Sequence, residues 1–266
     1  MKSKQTFFLI RCWRILNLLC WLVHTLWRVR FLKDKTPEER NQELISISDN
    51  FLQVINVHIQ LNNSLKHINT MPWLTVANHV SMIDMFVMMK YITGGFIATK
   101  NIRKWPILGN LITNVGTVYI NRHSRQDISP VIQTIVEALK QNKNVLFFPE
   151  AYTSPGFETL PFKAALFQAA IDADVPVQSL ALRYYDAQMR TDKVSFAGNI
   201  NVLSSIWQIT SIPEIRVEVD FAPLLNTKEH PVTDRYELKD MAEQFIRTKV
   251  LSDSPIQKQT NHSEQT

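Results

Sequence analysis

Short apolar runs alternate with longer amphipathic stretches through most of this chain. The apolar runs have the length and composition of buried strands, and they lie at residues 73–77, 116–120, 145–148 and 175–182. Before them, residues 57–61 alternate apolar and polar positions like a first strand. Between them, Ser129-Pro130 is typical of a helix start, and this helix is predicted to reach Lys140. The alternation predicts an α/β fold with a central, mostly parallel sheet flanked by helices.

Residues 7–32 are strongly apolar but interrupted by arginines. Their longest stretch without a formal charge, residues 15–27, is shorter than the roughly 20 residues that a membrane-spanning helix needs. On a helical wheel the arginines share one sector with Asn17, His24 and Thr25, and large apolar side chains fill most of the rest. This pattern favours a helix that lies in the membrane interface with its arginines facing lipid phosphates. A tilted transmembrane span and a core helix of a soluble protein are the alternatives.

Thr36-Pro37 begins a second predicted amphipathic helix, which runs to about Ile55. We therefore expect residues 1–56 to form an N-terminal, membrane-associated helical hairpin of amphipathic docking helices. The α/β domain is expected over residues 57–251. Residues 252–266 contain almost no apolar side chains and are expected to be a disordered polar tail.

Composition and charge narrow the class of protein. With 266 residues, 45% of them apolar and 20% charged, the chain has the composition of a globular protein with one sizeable core. The net charge of +5 belongs mainly to the N-terminal segment, and no basic-aromatic stripe indicates nucleic acid binding. Cys12 and Cys20 fit neither a metal site nor a disulfide framework. No zinc-ligand spacing or Gly-rich phosphate loop occurs either, so we expect no metal.

The candidate chemistry begins with a histidine and an aspartate in residues 78–84, Asn-His-Val-Ser-Met-Ile-Asp, directly after an apolar run. Side chains five residues apart on one helix point away from each other. His79 and Asp84 can therefore meet only if His79 lies in a loop and Asp84 lies in the helix that follows. The alternative is a capping box, in which Ser81 is the N-cap and Asp84 bonds back to the backbone.

Polar side chains follow three of the predicted strands, at the point where each strand ends: His79, Arg122 and Glu150. Ligands of open α/β sheets bind at the carboxyl ends of the strands. A base, a cation and a carboxylate at these ends could line one crevice. Taken singly, Arg122 and Glu150 could equally be solvated loop charges.

Four blocks in order resemble the glycerolipid acyltransferases of the 1-acyl-glycerol-3-phosphate acyltransferase type. The blocks are residues 78–84, 116–122, 148–154 and 175–178, and the connecting segments Lys100, 105–109 and 160–163 are also similar. The resemblance covers roughly residues 56–221. It implies that residues 57–251 form an acyltransferase domain, bound to the cytoplasmic face of the inner membrane.

The resemblance further implies acyl transfer from a thioester of coenzyme A or acyl-carrier protein to the free hydroxyl of a lysolipid. His79 would remove the proton of that hydroxyl, and Asp84 would orient the imidazole and stabilise its charge. The lysolipid supplies the nucleophile, so no cofactor is expected beyond the acyl thioester as co-substrate. Because His79 must be neutral to act as a base, activity is expected to fall as the pH drops.

The expected substrate-binding residues are Asn78, Ser81, Lys100, Arg122, Glu150 and Lys163. Arg122 is the natural phosphate partner, and Glu150, itself an anion, is expected to hold Arg122 or the glycerol hydroxyl. The third block departs from the family at Thr153, where an arginine is usual, and at Ala151, where a glycine is usual. The missing cation would then be supplied by Lys100, Arg103 or Lys163.

Because Arg122 is retained, lysophosphatidate is the favoured acceptor, and lyso-ornithine lipid or another lysophospholipid is the alternative. The departures of the third block from the family pattern also fit a protein of another class, a catalytically silent lipid-binding membrane protein. A thioester or ester hydrolase that uses the His79–Asp84 pair is disfavoured, since no Gly-x-Ser-x-Gly elbow occurs.

Overall fold

The computed structural model describes residues 6–63, 72–99, 117–120 and 128–256. Within them the helices are α1 Phe8–Val29, α2 Pro37–Val54, α3 Ile83–Tyr91, α4 Ile128–Lys140, α5 Gln168–Ala173, α6 Val202–Ile209 and α7 Arg235–Leu251. The strands are β1 Val57–Leu61, β2 Leu74–Ala77, β3 Gly95–Thr99, β4 Val118–Ile120, β5 Val145–Phe147, β6 Val177–Asp186, β7 Met189–Arg190 and β8 Ile215–Phe221. Helices and strands therefore alternate along the chain, as the hydrophobic pattern predicts.

The strands form one sheet in the order β1-β8-β6-β2-β5-β3-β4, and β7 pairs with β6. Neighbouring strands run parallel except at β6, which runs antiparallel to β8 and β7. The predicted α/β fold with a mostly parallel sheet is confirmed. β6 connects the two halves of the sheet, because residues 177–180 pair with β2 and residues 180–186 pair with β8.

Helices cover both faces of the sheet, so β2, β5 and β6 are buried throughout. One apolar core joins the sheet to α1, α2, α3 and α6, with members that include Val29, Ile47, Val87 and Ile209. The other joins the opposite face to α4, α5 and α7, with members that include Ile135, Ala169 and Ile246. Continuous apolar strands are the sequence signature of a sheet covered on both faces.

An aromatic cluster connects the two N-terminal helices to α3. The Phe51 and Phe86 rings stack with centroids 3.9 Å apart, and Trp21 contacts them at 4.9 and 5.6 Å. Trp21 also donates its indole N–H to the carbonyl of Ile47 at 3.1 Å. The pairings of Trp21 with Ile47 and of Arg28 with Glu43 are those of two helices that run antiparallel. The N-terminal hairpin therefore shares a core with the sheet.

The arginines of α1 point into the protein, which corrects the expectation that they face lipid phosphates. Arg14 is 8% exposed and donates to the carbonyls of Ile212 at 2.5 Å and Pro213 at 2.6 Å. Arg11 donates to the carbonyl of Trp207 at 2.7 Å and lies over its indole ring. The carbonyls in and after the last turn of α6 lack intrahelical partners, and the guanidinium groups satisfy them.

The opposite face of α1 is apolar and exposed. Its side chains include Leu9 at 80% exposure, Val23 at 68%, and Phe8, Trp13, Leu16, Leu19 and Trp27. The edge-on contact between Phe8 and Trp207 joins this surface to α6, whose Leu203 and Trp207 are also exposed. Among the described residues α1 is the one helix long and apolar enough to cross a membrane. We call Leu9, Leu16, Val23, Leu203 and their exposed apolar neighbours the α1–α6 surface.

The C-terminal boundary lies later than the predicted tail at 252–266. Asp253 accepts hydrogen bonds from Arg190 at 2.6 Å and from the hydroxyl of Tyr185 at 2.6 Å. Ser254 is buried beside it. Asp253 forms ion pairs with arginine side chains of β6 and β7. The chain is therefore fixed to the sheet beyond Leu251. Residues from 257 onward lie outside the described residues.

Arg14→Met should lower the free energy of unfolding, because it removes donors from buried carbonyls while keeping the length of the side chain. A loss of about 1–3 kcal/mol is expected for unsatisfied groups of this kind. Denaturant unfolding in detergent measures it. Arg30→Met is the matched control, since Arg30 is exposed at the end of the same helix. Equal stability of the two variants would contradict the role given to Arg14.

Candidate functional site

The end of β2 and the start of α3 bring His79 and Asp84 together. β2 ends at Ala77, His79 lies in the loop, and Asp84 lies in the first turn of α3. Nδ1 of His79 is 2.8 Å from Oδ2 of Asp84. The contact that the five-residue spacing predicts is therefore present, because a loop and a helix contribute one side chain each.

Asp84 also binds the backbone as the capping alternative expected. Its Oδ2 accepts the N–H groups of Val80 at 2.7 Å and Ser81 at 2.9 Å. Its Oδ1 accepts the hydroxyl of Tyr184 at 2.5 Å. The carboxylate is completely buried, so these four donors replace the hydration that it loses. One aspartate thus holds the loop and the imidazole at once.

The imidazole of His79 has one restrained nitrogen and one available nitrogen. A carboxylate can only accept, so the hydrogen of the shared bond lies on Nδ1 and the lone pair lies on Nε2. Within the part of the chain that the structure describes, Nε2 has no hydrogen-bond partner, and the side chain is 19% exposed. The ring stacks on Phe148 with centroids 3.9 Å apart and planes 8° apart. A neutral His79 is therefore an oriented proton acceptor.

Glu150 fixes the backbone of the same loop. Its Oε1 accepts the N–H of His79 at 2.8 Å, and its Oε2 accepts the N–H of Leu160 at 2.8 Å. The pKa of Glu150 is raised to about 8, mainly by burial and in smaller part by the charges of Asp84 and Glu243, while the two N–H donors oppose the shift. These contacts differ from the expected contact with Arg122 or a glycerol hydroxyl.

Asn78 and Ser81, which are expected to bind substrate, both have hydrogen bonds to the protein backbone. The Asn78 side chain donates to the carbonyl of Leu182 at 2.9 Å and accepts its N–H at 2.8 Å, which clamps the loop to β6. The hydroxyl of Ser81 accepts the N–H of Ile83 at 3.3 Å, and both side chains are fully buried. They shape the loop that presents His79.

The cationic candidates are only partly described. Lys163 is exposed, and its backbone N–H donates to the carbonyl of Pro149 at 2.9 Å. Lys100, Arg103 and Arg122 lie outside the described residues, so their roles stay predictions. No group of three His, Cys, Asp or Glu side chains that could hold a metal occurs among residues 6–63, 72–99, 117–120 and 128–256.

The third block forms a turn beside the His79 loop. Ala151 has a φ of 65°, a left-handed conformation that explains why glycine is usual at this position. Its neighbour Ser154 donates its N–H to the carbonyl of His79 at 2.8 Å. The turn therefore supports the loop through this hydrogen bond, even with alanine in place of glycine.

Two features of the site escaped prediction from sequence. Tyr184 lies 100 positions from Asp84, and the signal available was a tyrosine inside a buried strand, where its hydroxyl needs a partner. Phe148 was predicted as part of a strand and not as the stacking partner of His79. Both are long-range contacts that depend on the order of the strands in the sheet.

Known proteins resemble this chain in sequence and in fold. A family model described as Acyltransferase matches residues 55–183. The chain is 40% identical over 258 residues to a 1-acyl-sn-glycerol-3-phosphate acyltransferase of Neisseria meningitidis, a match that covers 96% of this chain and 99% of that protein. A lyso-ornithine lipid O-acyltransferase of Pseudomonas aeruginosa is 31% identical over 176 residues, covering 66% of this chain and 67% of that protein.

The crystal structure of the 1-acyl-sn-glycerophosphate (LPA) acyltransferase of Thermotoga maritima has a similar fold. The TM-score is 0.66 at 18% identity, and the match covers 91% of this chain and 93% of that one.

Near pH 5, Glu150→Gln should destabilise the protein by about 1–3 kcal/mol, because the NH2 group of glutamine cannot accept the N–H that faces it, whereas the hydroxyl oxygen of protonated Glu150 still can. The difference should grow as the pH falls. Folded Glu150 keeps its proton up to about pH 8, whereas the unfolded group releases it above about pH 4.3. The free energy of unfolding of the unsubstituted protein therefore falls as the pH rises between these two values. The glutamine variant lacks this pH dependence.

Denaturant unfolding of both proteins at pH 5 and pH 8 measures this difference. Glu158→Gln is the matched control, since Glu158 is exposed in the same loop. A difference that is independent of pH would contradict the raised pKa of Glu150.

Proposed function

Because the chain belongs to the acyltransferase family, we propose that it transfers an acyl chain from an acyl thioester to the free hydroxyl of a lysolipid. The acceptor is 1-acyl-glycerol-3-phosphate and the product is phosphatidic acid, in phospholipid biosynthesis. The observation that carries the proposal is the His79–Asp84 pair, with Nδ1 held by a buried carboxylate and Nε2 available.

In the proposed reaction, Nε2 of His79 takes the proton of the lysolipid hydroxyl as its oxygen attacks the thioester carbonyl. The carbon–sulfur bond breaks when the tetrahedral intermediate collapses, and the proton passes from the imidazolium to the leaving thiolate. Asp84 stabilises the imidazolium through Nδ1 without becoming protonated. The enzyme forms no covalent intermediate, since the acceptor is itself the nucleophile.

Support for lysophosphatidate as acceptor comes from the relatives. The Neisseria protein with that substrate in its name is similar over 96% of this chain, and the Neisseria gonorrhoeae protein of the same name is 39% identical over 258 residues. The lyso-ornithine relative is less similar and covers 66% of the chain. We assign the phosphate to Arg122, assisted by Lys100 or Lys163. The acyl donor is a thioester of acyl-carrier protein or coenzyme A.

We further propose that the α1–α6 surface lies in the cytoplasmic leaflet of the inner membrane. Contacts between α1 and the rest of the protein extend from Arg11 to Arg28, along about 25 Å of helix at 1.5 Å per residue. These contacts along the helix support a position in the plane of the membrane, with α1 still packed on the domain, over a span. Its exposed face carries two tryptophans, Trp13 and Trp27, which suit the lipid–water interface.

His79→Ala should lower kcat by about 100- to 10,000-fold, the usual contribution of a positioned general base. Thiol release from acyl-CoA and acyl-carrier protein, with lysophosphatidate or lyso-ornithine lipid as acceptor, measures activity and acceptor preference together. His58→Ala is the control, since His58 is an exposed histidine on β1. Near-normal activity of His79→Ala would refute the assigned base. No thiol release by the unsubstituted protein would favour a lipid-binding protein.

Combining Leu16→Glu with Val23→Glu should reduce binding to vesicles that contain anionic phospholipid. Burial of each side chain contributes roughly 1.5–3 kcal/mol, so the partition coefficient should fall more than about tenfold. Vesicle flotation measures it, and unchanged melting shows that the fold is intact. Met189→Glu is the matched control, because Met189 is an equally exposed apolar residue on β7. Equal flotation of both proteins would contradict docking through α1.

A further inference from the structure

Tyr184 reaches the His79–Asp84 pair from the far side of the carboxylate. It is 2% exposed on β6, and its hydroxyl lies 2.5 Å from Oδ1 of Asp84. In the described part of the chain this hydroxyl is the one partner of Oδ1, whereas Oδ2 accepts from His79 and two backbone N–H groups. The hydroxyl of Tyr184 therefore restrains the rotation of the carboxylate through Oδ1. It also affects how the negative charge is divided between Oδ1 and Oδ2.

The hydroxyl of Tyr184 can act here only as a donor. Burial raises the pKa of Tyr184 well above its ordinary value, and the charge of Asp84 and the shared hydrogen bond raise it further. The phenol keeps its proton wherever the carboxylate is ionised. A hydrogen bond to a charged acceptor is stronger than one between neutral groups, so this contact is a strong restraint.

The strand places that hydroxyl rigidly relative to the loop of His79. Tyr184 pairs with Val217 in β8, and two residues earlier the backbone of Leu182 accepts one hydrogen bond from the Asn78 side chain and donates one to it. Leu182 and Tyr184 lie on the same face of β6, since side chains alternate along a strand. The loop that carries the base is thus tied to the strand that carries the phenol.

We propose that Tyr184 is a positioning residue of the acyl-transfer reaction, one that holds the Asp84 carboxylate in the rotation that presents Oδ2 to His79. The inference rests on the proposed function. The phenol also draws negative charge toward Oδ1. The hydrogen bond between Oδ2 and the imidazole N–H is therefore weaker than it would be without the phenol. The titratable groups facing Asp84 among the described residues are His79, Tyr184 and Glu150.

Tyr184→Phe tests this role with the ring volume kept. We expect kcat to fall about 10- to 100-fold, the range for groups that orient a functional histidine, while KM for both substrates changes less than about twofold because no substrate contact is lost. The acid limb of kcat/KM should move to higher pH, since Oδ2 would carry more charge. Tyr185→Phe is the matched control, because its hydroxyl binds Asp253. A merely structural role would lower stability without moving the pH profile.

Two further measurements complete the test. In an Asp84→Asn background, Tyr184→Phe should cause little additional loss of kcat, because the two groups act as one unit. Replacing Tyr184 by 3-fluorotyrosine keeps the fold and strengthens the donor, so the acid limb should move to lower pH. An unchanged pH profile in the phenylalanine and fluorotyrosine proteins, with an active unsubstituted enzyme, would overturn this inference alone. Absence of acyl transfer by the unsubstituted enzyme would overturn the proposed function and this inference with it.

Discussion

The buried carboxylate of Asp84 is the interaction on which the site depends. An ionised group without water is costly unless donors surround it, and Asp84 has them from the loop backbone, His79 and Tyr184. Those donors come from two parts of the fold, the loop after β2 and strand β6, which must both be in place. The same hydrogen bonds therefore stabilise the loop and orient the imidazole of His79.

The N-terminal helix connects this site to the outside of the protein. Its arginines donate hydrogen bonds to the carbonyls at and after the end of α6, and its apolar side chains face outward. Trp21 on the inner side packs against Phe51 and Phe86, and Phe86 belongs to the same helix as Asp84. A helix proposed to lie in the bilayer thus supports, through one layer of aromatic rings, the helix that holds Asp84. Glu150 supports the same loop from the third block.

Local pattern was enough to predict the α/β class and five of the eight described strands, and to show how His79 in a loop could meet Asp84 in a helix, because each depends on periodicity within a few residues. Strands β3, β7 and β8 were not predicted. Local pattern was not enough for contacts across the sheet. A helical wheel grouped the arginines of α1 correctly but could not tell whether that face contacts lipid or protein. In the structure Arg14 donates hydrogen bonds to backbone carbonyls. Glu150 appeared as a ligand for a cation, although its partners are N–H groups 71 residues before it and ten residues after it. The contact between Tyr184 and Asp84 could be predicted only with knowledge of the order of the strands in the sheet.

The tautomer of His79 is the most direct test of the proposed role of the His79–Asp84 pair, and it can be read from the nitrogen NMR spectrum of protein labelled with 15N-histidine. His79→Gln identifies the resonance among the seven histidines. We expect a neutral imidazole with its hydrogen on Nδ1, bonded to Asp84, and an unprotonated Nε2, with this preference lost in Asp84→Asn. A neutral imidazole protonated on Nε2 would contradict the proposed role, since the nitrogen assigned to take the lysolipid proton would already carry one.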